Sequence, residues 1–149
     1  MSEEKSGFIV KFYDKAYEEK TILELVEAPA SAISGISDAD AADLKKAFNI
    51  GTVEDLAVNQ NVLLAQALAT FSDASAEVLD KKFEAKEFNE LADKPASAIT
   101  GISESDGALL KKAFGIDTIR ELADNKYVLI AQATVALAAL VQYIIDEVL

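Results

Sequence analysis

The sequence predicts an all-α protein made of one helical unit written twice, each copy closing on a longer helix. Three observations predict it. The chain matches itself at an offset of 66 residues: Glu24–Ala67 lies over Glu90–Ala133 without a gap, with 27 identities in 44 positions. Helix-start signals recur at equivalent places in both copies, and apolar residues recur between them at helical spacing. A repeat of this kind governs the architecture before any local reading does. Two copies are too few for a solenoid, so the expected arrangement is two units, residues 1–75 and 76–149, facing each other across a pseudo-twofold axis.

Composition narrows the chemistry. The 149 residues are 51% apolar and 27% charged, enough for a real core and inconsistent with disorder. There is no Cys and no His, which removes thiol chemistry, disulfides, imidazole acid–base catalysis and nearly all zinc or copper sites. No cofactor is expected. The net charge of −12 is shared by both halves, with 6 basic against 13 acidic residues before Ala76 and 8 against 13 after it. Such a chain is repelled by phosphate backbones and anionic membranes unless its lysines cluster.

Met1–Gly7 is polar and acidic, and the apolar run Phe8–Tyr13 is too short and too poor in basic flanks for a signal peptide, so a cytoplasmic location is expected. Phe12, Tyr17, Ile22 and Leu25 fall over Val78, Phe83, Phe88 and Leu91 at the same offset, which reads as a helix in both copies. Thr21–Val26 and Glu87–Ala92 lead into the most repetitive stretch, Pro29–Ser37 over Pro95–Ser103. Each proline opens a short helical piece at a position where its missing N–H costs nothing. Gly35, between Ile33 and Ile36, and Gly101, between Ile99 and Ile102, are expected to make a tight turn tolerant of positive φ.

Ser37 stands three residues before Asp40, and Ser103 three before Asp106, the capping-box spacing, so helices start there and run to about Phe48 and Phe114. Ala41 (Gly107 in the second copy), Leu44, Ala47 and Phe48 should face inward, and Lys45-Lys46 outward. Thr52 with Asp55, and Thr118 with Glu121, open a second short helix that Asn59 and Asn125 close.

The long helices are expected over about Asn61–Lys82 and Tyr127–Val148. Leu64, Leu68, Phe71, Ala74 and Val78 form the apolar stripe of the first, and Ile130, Ala133, Leu137, Leu140, Ile144 and Leu149 that of the second. Between Val128 and Val141 the second helix has one clearly polar residue, Gln132. A helix apolar all round must be covered all round. It therefore serves as core or as an interface, whose contact residues are expected to be Val128, Ala131, Val135, Ala138, Ala139 and Gln142. Its polar residues Gln132, Gln142, Asp146 and Glu147 make the run short for a bilayer crossing, and a membrane role is not expected.

The run Ile33-Ser34-Gly35-Ile36-Ser37, then Ala42, Leu44 and Phe48-Asn49-Ile50-Gly51-Thr52-Val53-Glu54-Asp55-Leu56-Ala57, resembles the helix-hairpin-helix superfamily. Gly115-Ile116-Asp117-Thr118-Ile119-Arg120-Glu121-Leu122-Ala123 fits the same pattern, which is also similar to SAM-like helical domains such as the RNA polymerase α C-terminal domain. The resemblance implies DNA binding without sequence specificity, in which hairpin N–H groups hold a phosphate and nearby basic residues support it: Gly35, Lys45 and Lys46 in one copy, Gly101, Lys111 and Lys112 in the other. The chain departs from the family where it matters. Its second hairpin glycine is Ser37 or Ser103, and Asp38, Asp40, Glu104 and Asp106 place negative charge where a phosphate would approach.

The spacing of Asp38, Asp40 and Asp43 lacks the loop glycine and distal glutamate of a calcium loop, so capping is the better reading and no metal is expected. Gln66 and Gln132, kept in both copies on apolar helices, are expected to pair with each other or with a backbone group across the pseudo-twofold. No catalytic triad, phosphate loop or acid pair is legible. The expected function is therefore a non-catalytic interaction or scaffolding module, an acidic subunit or adaptor that binds a protein partner or itself. Divergent DNA binding is the alternative, and a carrier of an apolar small molecule between the repeats is a third reading.

Overall fold

A computed structural model describes residues 11–78 and 90–148. Its helices are α1 (Ile22–Val26), α2 (Asp38–Phe48), α3 (Val53–Val58), α4 (Gln60–Val78), α5 (Glu104–Phe114), α6 (Ile119–Ala123) and α7 (Lys126–Glu147), joined by short 3₁₀ turns. Among the described residues extended pairing is confined to three isolated bridges, Tyr13 with Ile33, Pro29 with Thr52 and Pro95 with Thr118. The all-α expectation holds.

Local chemistry fixes the boundaries. Ser37, Thr52, Ser103 and Thr118 each accept from the N–H three residues on, while Asp40, Asp55, Asp106 and Glu121 accept from the cap's own N–H. Thr21 and Glu24 form a further box at the start of α1, which the sequence reading passed over. Each box satisfies two donors that a helix start leaves orphaned. The Asp55 carboxyl is held below its usual range chiefly by the Gly51 N–H, 2.9 Å away. Helices α2 and α5 end on left-handed residues, Asn49 and Gly115, whose N–H groups return to carbonyls of the last turn. Asn59 closes α3 as expected, but α6 ends on Asp124 rather than Asn125, and both asparagines start the long helices, their side chains accepting from the first amides of α4 and α7.

Two expectations need correction. Lys11–Asp14 is not helical. Tyr13 bridges Ile33, with Ser34 N–H donating to Phe12 C=O and Asp14 N–H to Ala32 C=O, because the turn at residue 33 offers backbone partners that an isolated helical turn lacks. Residues 1–10, 79–89 and 149, including Phe83 and Phe88, lie outside the described residues. The second correction concerns the glycines. Gly35 has φ +103°, whereas Gly101 is not in the positive-φ region.

The hydrogen bonds recur at the sequence offset. Ala30 N–H donates to Gly51 C=O as Ala96 does to Asp117, and Val53 N–H donates to Ala28 C=O as Ile119 does to Lys94. Packing then crosses between the copies. Helix α4 lies on α6, α7 lies on α3 and α1, and α2 pairs with α5. One continuous apolar cluster results, running from Tyr13 and Leu25 through Ile33, Val53 and Leu56 to Ile119, Leu122 and Val128.

At the crossing, Gln66 Nε2 donates to Gln132 Oε1 at 2.9 Å, and Gln132 Nε2 donates to Gln66 Oε1 at 2.8 Å. The second N–H of each goes to a carbonyl at the end of the opposite short helix, Gln66 to Ala123 and Gln132 to Ala57, both at 3.1 Å. Each glutamine thus satisfies carbonyls that a short helix cannot satisfy itself. Gln132→Leu is expected to cost about 2 kcal/mol in urea denaturation, because the Gln66 amide and the Ala57 carbonyl both lose a partner. Gln66→Leu/Gln132→Leu should cost less than the two single changes added, with a coupling of about 1 kcal/mol. Strict additivity would show that the pair makes no joint contribution.

The long helices bury their small residues. Val62, Ala65, Ala69 and Ser72 face the core from α4, and Val128, Ala131, Thr134 and Ala138 from α7. Leu64 and Phe71, expected inside, are exposed, as are Leu137, Leu140 and Ile144. Helices crossing at close range need small side chains at the contact, and the large ones rotate outward. In α2 the order is the reverse, with the large Leu44 fully buried and Ala41, Ala47 and Phe48 half-buried.

Candidate docking groove

Helix α7 meets α1 and α3 along a groove. Val135, Ala138 and Ala139 form its floor, Leu23 and Val26 its wall, Glu27 and Glu54 its acidic edge, and Gln142 its far end, around a volume of about 440 Å³. Local structure places the edge: Glu27 is the C-cap of α1, and Glu54 sits in the first turn of α3, where an acid also favours the helix dipole. Beyond the groove α7 continues with Leu140, Tyr143, Ile144, Ile145 and Val148 all exposed, Leu140 at 62% and Val148 at 69%. A surface of that composition is the kind that proteins cover.

Of the expected interface residues, the structure separates core from surface. Val128 and Ala131 are buried in the core and closed to a partner, at 2% and 0% exposure, and Ala138, 5% exposed, meets the groove only as part of its floor. Val135 is half-buried, and Ala139 and Gln142 are exposed. The groove brings the last three together with Leu23, Val26, Glu27 and Glu54, which the sequence reading did not single out. Their signal was faint, since α1 contributes to the groove only through the long-range packing of α7 on it.

The residues of the nucleic-acid alternative lie elsewhere. Gly35 sits under the Tyr127 ring of the second copy, and Gly101 under the Asn61 side chain of the first. Four of the amides that follow these glycines are used internally: Ile36 and Ile102 N–H donate to Ile33 and Ile99 C=O, and Ser37 and Ser103 N–H to Asp40 and Asp106. Lys111 pairs with Asp117 at 2.7 Å, which raises its pKa, and Lys112 lies 3.8 Å from Asp43. Lys45 and Lys46 are exposed. Among the described residues no cluster of three or more carboxylates is placed to hold a metal ion.

No family model matches the chain, and neither a curated protein nor a solved structure does.

On the other side of α7 lies an apolar pocket of about 320 Å³, lined by Phe12, Tyr13, Ile22, Leu25, Ile130, Ala133, Thr134 and Leu137. Tyr13 Oη and Thr134 Oγ1 are 2.6 Å apart. Thr134 donates its only proton to Ile130 C=O, so the tyrosine is the donor to the threonine. Burial pushes the Tyr13 phenol pKa up, and a hydrogen bond donated by the neutral phenol does not oppose that shift. The stretch Ile119–Glu147 also meets the length and composition of a membrane-crossing helix, contrary to the expectation that its polar residues shorten it too far. One face of it nonetheless packs inward through Val128, Ala131, Thr134 and Ala138.

Proposed function

We propose that the chain is a non-catalytic protein-interaction module, assembled from two helix-hairpin-helix-like repeats related by a pseudo-twofold axis. One observation carries the functional reading: the long helices turn small residues inward and large apolar residues outward, which leaves Leu140, Tyr143, Ile144 and Ile145 in solvent beside the groove. Holding that much apolar side chain in water is unfavourable by about 25 cal/mol per Å² that a partner would cover. The repeat reading is supported by the 27 identities and by backbone and glutamine hydrogen bonds that recur 66 positions apart. The partner surface is then the groove and the end of α7, and the repeats correspond to residues 1–75 and 76–149.

Leu140→Glu/Ile144→Glu tests the reading, since both side chains are exposed and their change should leave the melting temperature within about 3 °C. Tagged protein drawn from its native cells with nuclease present should retain discrete proteins, and the double variant should lose them. Equal retention by both chains would place the partner surface elsewhere. Enrichment that disappears with nuclease and with Lys45→Glu/Lys46→Glu would instead support the nucleic-acid alternative.

A further inference from the structure

The two halves handle the same place in opposite ways. In the second half Arg120 of α6 is held in a fork: Nη1 and Nη2 donate to the two carboxylate oxygens of Asp73 at 3.0 Å each, and Nε to Asp93 at 3.4 Å. The fork draws the Asp73 carboxyl below its usual range and raises the guanidinium pKa. At the 66-residue offset Arg120 corresponds to Glu54, Asp93 to Glu27 and Asp73 to Ala139. All three of those residues line the docking groove. Ala69, beside Asp73 in the equivalent depression, corresponds to Val135 on the groove floor.

The groove therefore keeps one acid of the fork, Glu27, and puts a second acid, Glu54, where the arginine belongs, while α7 of the second half brings Ala139 where the bidentate acid belongs. Among the described residues no Lys or Arg forms an ion pair with Glu27 or Glu54. Removing the internal cation and the Asp73 carboxylate leaves space as well as negative charge, above an apolar floor.

We propose that this groove takes a helical segment of a partner protein whose apolar face carries an arginine, the guanidinium entering between Glu27 and Glu54 much as Arg120 enters between Asp73 and Asp93. Charge selects this occupant over a second copy of the chain, which brings a net −12 to a surface already acidic. Arginine suits the place better than lysine because its planar fork can meet two carboxylates at once. The inference rests on the docking reading above and adds the chemistry of the partner.

The test uses three labelled amphipathic peptides with one Leu/Ala face and, at its centre, Arg, Gln or Glu, titrated into the full chain by fluorescence anisotropy. The Arg peptide should bind about tenfold more tightly than the Gln peptide, and the Glu peptide more weakly still. Glu27→Gln/Glu54→Gln should erase the Arg preference while keeping the apolar affinity, and Glu104→Gln should change nothing. Glu54→Arg/Ala139→Asp rebuilds the fork of the second half and should exclude all three peptides. Equal affinity for the Arg and Gln peptides overturns the cation site but leaves the apolar groove standing. Binding of none of them overturns the groove as well. Sedimentation of the chain alone as a dimer that Glu54→Arg/Ala139→Asp dissociates would assign the groove to a second copy and overturn the proposal.

Discussion

Ala131→Glu should abolish cooperative folding, whereas Ala139→Glu, further along the same helix, should leave the protein folded. Ala131 has no exposed surface and belongs to the cluster that joins α7 to the first-half helices. A glutamate there must either bury an unpaired charge or stay protonated with its carboxyl unsatisfied, at a cost of about 4 kcal/mol or more. That is a large part of the stability of a chain this size. Ala139 is exposed on the groove floor, and the same change should cost within about 1 kcal/mol while blocking the groove. Urea unfolding followed by circular dichroism separates the two. If Ala139→Glu also unfolds the chain, the groove is core and the docking surface fails; if Ala131→Glu folds normally, α7 does not pack as described.

Gly35→Ala should destabilise far more than Gly101→Ala, although the two glycines align at the 66-residue offset. At Gly35, φ is +103°, a conformation L side chains rarely adopt, and an added Cβ would lie 2.5 Å from Tyr127 Oη and 2.8 Å from Cε1. Strain and overpacking together should cost about 3 kcal/mol. At Gly101 the backbone is ordinary and the obstacle is Asn61 Oδ1 at 2.6 Å, the end of a side chain that can swing away. A cost of about 1 kcal/mol is expected there. Denaturation midpoints of the two variants measure the difference, and equal losses would show that the two glycines share one conformation.

The difference between the glycines also shows where reading the sequence stops. Ser37 with Asp40, Thr52 with Asp55, Ser103 with Asp106 and Thr118 with Glu121 make their bonds within three residues, so their spacing alone located the starts of α2, α3, α5 and α6. The 66-residue offset likewise exposed Gln66 and Gln132 as a candidate pair, because it put the same polar residue on two apolar helices. The Lys11–Asp14 segment went the other way. Its apolar residues suggested a helix, but its hydrogen bonds go to Ala32 and Ser34, partners that no local pattern announces.

By itself the sequence determined the all-α character, the starts of four capped helices and the internal match of the chain, since these depend on contacts a few residues apart or on direct comparison of letters. The tertiary structure decided which face of each long helix turns inward. Periodicity counted Leu64, Phe71, Leu137 and Leu140 as core, but close helix crossing favours alanine, serine and threonine at the contact, so the leucines went to the surface. It also decided that Arg120 is spoken for by Asp73 and Asp93 while Glu27 and Glu54 stand open beside Ala139. The charge of each residue is written in the sequence, but the cation that neutralises it is chosen by which distant helix the fold brings alongside.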